Sequence, residues 1–243
     1  MRYSKRRKLS VINHSKSFEE MHPEVPLWKS PFVWLCGLAG LLLIGVPLLL
    51  DGFTHRVVGV LMVDVSQSNQ PFQDSLKALC RQYSESLVEG DIRIQGKFAD
   101  VATILSNQKF AERDRLLLQK QCQQVMVLPA GVGKIPGTSL LDALSRMETE
   151  IQHQQSLGNT QPVAAIVAIN SAELVNQKPQ SFSLIKSKIE RIVQKGGAVA
   201  IIGSSVNLEN QLSQYLMQVK NTQICTYADS QTCVEDLFEI ARK

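Results

Sequence analysis

The chain has 243 residues, 44% hydrophobic and 20% charged, with 26 Lys and Arg against 22 Asp and Glu and a formal net charge of +4. That apolar share excludes a disordered chain, and 14 Gly, 9 Pro and 5 Cys are too few for a collagenous or disulfide-dense scaffold, leaving one folded domain with at most an appendage. The excess charge sits in residues 1–31, where Arg2, Lys5, Arg6, Arg7, Lys8, Lys16 and Lys29 outnumber Glu19, Glu20 and Glu24; the remainder is formally neutral and offers no bulk field to nucleic acid.

Residues 1–31 form a basic, Pro-interrupted tail, expected to be unfolded on its own and suited to lipid headgroups or a cytoplasmic protein. Phe32 to Leu50 then run without a charge. As a helix this stretch reaches roughly 28 Å, close to the ~30 Å hydrocarbon core of a bilayer. Trp28 and Trp34 at one end and Pro47 near the other suit an interface-anchored span. A cleaved signal fits less well: the run is longer than the usual stretch of about 7–15 residues, and Asp51-Gly52-Phe53 offers no small-x-small cleavage site. The tail is rich in Lys and Arg, and only Arg56 is basic in the 20 residues after the run, so the N-terminus is expected in the cytoplasm and the rest outside it.

After a linker over residues 51–55, residues 56–243 alternate two periods. Val57–Val63, Ile92–Phe98, Val125–Leu128, Val163–Ile169, Ala198–Ile202 and Gln223–Tyr227 read as strands. Helical stripes lie between or after them: Phe72, Leu76, Leu79, Cys80, Tyr83 and Leu87; Leu140, Leu141, Leu144 and Met147; Ile185, Ile189, Ile192 and Val193; and Val234, Leu237, Phe238 and Ala241. The fold class predicted is α/β, a doubly wound, mostly parallel sheet with helices on both faces, preceded by one transmembrane helix.

In such a sheet a ligand site belongs at the carboxyl ends of the strands. Three polar segments are expected there: Asp64-Val65-Ser66-Gln67-Ser68, Gly137-Thr138-Ser139 and Asn170-Ser171-Ala172-Glu173. A carboxylate with hydroxyls and an amide makes a hard-oxygen set suited to Mg²⁺, Mn²⁺ or Ca²⁺, with no soft ligand to favour zinc.

This pattern resembles the von Willebrand factor type A domain family, whose metal-ion-dependent adhesion site carries Asp-x-Ser-x-Ser, matched by Asp64, Ser66 and Ser68, and a Gly-Thr-x-Leu helix opening, similar to Gly137-Thr138-Ser139-Leu140. The resemblance covers about residues 56–243. It implies a divalent cation, Mg²⁺ first, held directly or through water by Asp64, Ser66, Ser68 and Thr138, with Asn170 as a water-bridging position, and a protein partner whose acidic side chain completes the shell. One motif departs from the family: Ile169-Asn170-Ser171 stands where Thr-Asp-Gly is common. A contact charge pair is worth on the order of 4 kcal/mol at an effective dielectric of 20, so losing that anion weakens the metal. Two readings stay open: a metal-binding rim, or a degenerate one in which Ser68, Asn69 and Thr138 merely cap and turn.

Other chemistries match less well. Gly133-Lys134 lacks both the Gly five positions earlier and the following Ser or Thr of a P-loop, and Gly131, Gly133 and Gly137 miss the dinucleotide spacing by one residue. Ser66 stands where an aspartyl phosphatase would need a second Asp, and Gly203-Ser204-Ser205 is not a nucleophile elbow. His14, His22, His55 and His153 pair with no evident nucleophile, so no enzymatic activity is expected. Cys36 falls in the apolar run. Cys80, Cys122, Cys225 and Cys233 allow three pairings; at most one bridge is expected, Cys225 and Cys233 closing the shortest loop, with Cys80 reading as a buried thiol. The function expected is a membrane-anchored binding or assembly module with a metal-independent interaction subunit as the alternative.

Overall fold

The computed structural model describes residues 35–36, 55–126, 139–170, 179–194, 196–203 and 205–243. The chain divides into two compact units, Met1–Phe53 and Thr54–Lys243. The tail and, apart from Leu35 and Cys36, the expected span Phe32–Leu50 lie outside the described residues. Among the described residues no helix is long and apolar enough to cross a membrane.

In the second unit the elements run β1 (Val58–Asp64), α1 (Gln73–Ser86), β2 (Ile92–Phe98), β3 (Ala102–Lys109), α2 (Arg115–Met126), α3 (Leu140–Ser156), β4 (Val163–Ala168), α4 (Pro179–Val193), β5 (Ala198–Ile202), α5 (Val206–Leu216), β6 (Thr222–Cys225) and α6 (Ser230–Arg242). A 3₁₀ turn over Gln67–Phe72 joins β1 to α1. The sheet has six strands in the order β3-β2-β1-β4-β5-β6, parallel throughout except for the antiparallel pair β2 and β3.

Strand alternation sorts the core into two layers. Val58, Val60 and Met62 of β1 pack with Leu144 and Met147 of α3, Ile185 and Ile189 of α4 and Leu208 and Leu212 of α5. Leu61 and Val63 turn the other way, to Leu76 and Leu79 of α1, Leu118 of α2 and Val234 and Leu237 of α6. Every residue of β1 and β4 is buried, as a strand covered on both faces must be. Gly59 of β1 lets α1 and α6 approach closely: a Cβ there would lie 2.8 Å from the Leu87 side chain, and the Tyr83 hydroxyl donates to the Gly59 carbonyl at 2.8 Å.

The structure differs from the expectations in several elements. Val125 and Met126, expected to open a strand, instead end α2 at the helical spacing of Leu118 and Cys122, while Val127 and Leu128 lie outside the described residues. The third strand is Ala102–Lys109, an edge strand whose polar, half-exposed residues and bulge opposite Gln95 and Gly96 hide it from a search for apolar runs. The helix Val206–Leu216 was not expected; its Ser205 cap accepts the Leu208 N–H.

Two disulfides form, where at most one was expected. Cys80 of α1 meets Cys122 of α2 with their Cα atoms 5.8 Å apart, and Cys225 at the end of β6 meets Cys233 of α6 at 6.5 Å. The first pairing depends on residues 115–126 being a helix against α1, which the misassigned strand obscured.

Candidate functional site at the carboxyl end of the sheet

Asp64 is the last residue of β1 and fully buried. Its Oδ1 accepts the Ser66 N–H at 2.8 Å, a short loop bond that carboxylates favour in turns. The Val65 N–H donates to the Phe98 carbonyl at 2.9 Å, so the loop leaves β1 tied to the end of β2. Ser66 is buried and holds extended backbone before the 3₁₀ turn, at a position where its hydroxyl makes no capping bond. Ser68 lies within that turn; its side chain is outside the described residues.

Asn170 reaches the same rim by register. Val63 pairs with Ala168, so β1 and β4 end side by side, and the Ile169 N–H donates to the Ile202 carbonyl at 2.9 Å. Asn170 follows, half-buried. Thr138 lies outside the described residues, as do Gly137, Ser171 and Glu173. Its neighbour Ser139 is described: the Ser139 N–H donates to the Ala99 carbonyl at 2.9 Å, one residue beyond the carbonyl that holds Val65. The Ser139 hydroxyl accepts the Asp142 N–H at 3.2 Å and so caps α3. The structure therefore brings Asp64, Ser66 and Asn170 to one edge of the sheet, with the described end of the Gly-Thr-Ser segment beside them.

The capping account of this loop fails for Asn69. Asn69 is buried, and its Nδ2 donates to the Asp64 carbonyl at 2.7 Å. Its Oδ1 accepts from the Tyr227 hydroxyl at 3.0 Å. Tyr227, expected inside the last strand, instead lies beyond it, because β6 ends at Cys225. Its ring stacks on Phe72 at 5.4 Å and lies over Gly203, where a Cβ would come within 2.3 Å of the ring. Gly203 has φ +91, a conformation only glycine adopts freely. Burial pushes the Tyr227 phenol well above its usual range; the Asn69 bond pulls it partly back and the charge of Asp64 adds to the rise. Asn69, Phe72, Gly203 and Tyr227 were all missed as site residues. The sequence marks Gly203, straight after an apolar run, and Tyr227, between two cysteines eight apart, but carries no sign that they meet Asn69 and Phe72.

Among the described residues no three His, Cys, Asp or Glu side chains gather as a metal cluster. A cation at this rim would rely on Asp64 with hydroxyl and amide oxygens, a donor set that fits a hard divalent ion with few formal charges.

No protein-family model and no curated protein matches the sequence. Solved structures do match the fold. A von Willebrand factor type A protein from Catenulispora acidiphila superposes with TM-score 0.51 at 11% identity over 76% of this chain and 42% of that one. The chain has a von Willebrand factor type A-like fold. The manganese-loaded TRAP protein of Plasmodium vivax gives TM-score 0.53 at 16% identity, covering 78% of this chain and 75% of its own. An aerotolerance-related membrane protein from Bacteroides fragilis, carrying several mutations to serine, gives 0.52 at 16% identity, covering 76% and 98%.

Proposed function

We propose that the von Willebrand factor type A-like domain is an interaction module that takes a divalent cation, Mg²⁺ first with Mn²⁺ or Ca²⁺ as substitutes, at its carboxyl-end rim and captures a protein partner there. The observation that carries this reading is the buried carboxylate of Asp64 ending the central strand, with Ser66 two residues on and Asn170 leaving the adjacent strand. Asp64, Ser66, Ser68 and Thr138 would hold the cation, with Asn170 bridging through water. The bound ion would present an open coordination position to an acidic side chain of the partner. The manganese-loaded neighbour supports a cation in this fold.

The same reading makes the chain a single-pass membrane protein anchored by residues 32–50, with residues 1–31 in the cytoplasm and the domain outside it, and makes it a binder rather than an enzyme. The fold is shared with a neighbour described as a membrane protein, which agrees with the anchor.

The test is a calorimetric titration of the full-length chain in mild detergent with Mg²⁺ and Mn²⁺. Heat and a rise in melting temperature at millimolar metal are expected; a concentration 100 times Kd corresponds to about 2.7 kcal/mol of stabilisation. Absence of both would leave the domain a metal-independent interaction subunit.

A further inference from the structure

We propose that Tyr227 is a positioning residue for this rim: its phenol fixes the Asn69 amide, and through it the loop that presents Asp64 and Ser66. The inference rests on the reading that the rim takes a divalent cation, and it adds a residue 158 positions away in sequence from the loop it controls.

The Asp64 carbonyl decides the amide's orientation: it can only accept, so Nδ2 faces it, and Oδ1 is left to take the proton of the Tyr227 phenol. A reversed amide would face oxygen to oxygen at the Asp64 end. Asn69 is 2% exposed, so water offers little substitute for either bond.

The phenol is itself held from three sides. Gly203 supplies the space beneath the ring, Phe72 stacks against it, and the Cys225–Cys233 disulfide brackets the turn that carries it. Within that turn the Asp229 N–H donates to the Thr226 carbonyl at 3.3 Å and the Ser230 N–H to the Tyr227 carbonyl at 3.4 Å. A segment close to the last helix thus pre-orders the first loop of the sheet. Ordering the loop before the ion arrives lowers the entropy cost of gathering its oxygens. Groups that orient a ligand-bearing segment commonly change metal affinity by about 10–100-fold when removed.

The experiment uses the full-length chain in mild detergent, with Mn²⁺ followed by electron paramagnetic resonance and the metal-free melting temperature recorded for each variant. Tyr227→Phe keeps the ring and its stacking and removes only the hydroxyl. Its Mn²⁺ affinity is expected to fall about ten-fold, the low end of that range because Tyr227 acts through Asn69. Asn69→Ala breaks the same chain of bonds from the other side, and the double variant is expected to bind no more weakly than Asn69→Ala alone. Unchanged affinity in Tyr227→Phe, even with a lower metal-free melting temperature, would reduce the residue to a structural one. Losses that add in the double variant would overturn the coupling through Asn69. If the unmodified chain binds no Mn²⁺, the cation reading itself fails and the inference fails with it.

Discussion

The two ends of the sheet each bury a carboxylate at the end of a strand, and they use it differently. At the amino end, Asp91 precedes β2 and is fully buried. Its oxygens accept the Val57 and Val88 N–H groups at 2.9 Å each, and the Arg242 guanidinium contacts it with Nη2 at 2.7 Å and Nη1 at 3.3 Å. Arg242 also donates to the Ser86 and His55 carbonyls, tying α6 to α1 and to the start of the domain. At the carboxyl end, Asp64 stands among a serine, an asparagine amide and a buried phenol, on a loop rather than in a lock. The first carboxylate joins an Arg242 ion pair that ties three segments together. The second holds its own loop, beside an amide that the Tyr227 phenol fixes.

That contrast can be broken at either end. The largest expected effect is at the amino end: Asp91→Ala leaves the Arg242 guanidinium largely buried without its partner and should cost about 3–5 kcal/mol in denaturant unfolding, with the Mn²⁺ affinity of the folded fraction unchanged. A lost affinity there would show that the two ends are not separable.

The disulfides sharpen the same division. Replacing Cys80 and Cys122 together by Ser should cost about 3–4 kcal/mol, given the 42-residue separation, without altering cation binding. Replacing Cys225 and Cys233 should cost about 2–3 kcal/mol, because the loop is shorter, and should also weaken Mn²⁺ by loosening the turn that carries Tyr227. Equal affinities in the two double variants would detach the second bridge from the rim.

The smallest effect is at alkaline pH. Burial raises the phenols of both Tyr83 and Tyr227 above their ordinary value of 10.0, so the folded state retains those protons longer than the unfolded chain. Their contribution to stability is fully present below about pH 10 and is lost as pH rises from there through the folded values. Tyr227→Phe should flatten the fall of the melting temperature above pH 10, leaving the part due to Tyr83; an unchanged slope would contradict the burial of its phenol.

Much of the fold was legible because its central strands carry the strongest signal the chain contains. Val58–Asp64, Val163–Ala168 and Ala198–Ile202 are buried throughout, so their residues are apolar wherever packing demands it, and Asp64 stands out at the point where the demand ends. The edges were less legible. Ala102–Lys109 is half solvated, and its composition follows water rather than the sheet. The site divided in the same way. Asp64, Ser66 and Asn170 follow directly from strand ends and could be placed by counting residues. Tyr227 could not, because its role depends on a long-range return of the chain onto Gly203 and Asn69 that no local period encodes. The Cys80–Cys122 bridge is hidden for a related reason: it joins two helices, and the apolar residues that end the second are locally indistinguishable from the opening of a buried strand.

The central claim is tested most directly by Mn²⁺ titration of the full-length chain beside its Asp64→Asn variant, which keeps one oxygen to accept the Ser66 N–H, removes the charge and replaces the other oxygen by an NH₂ group. Saturable binding by the unmodified chain that disappears in the folded variant is the predicted result. Equal binding by both proteins, or none by either, would contradict it.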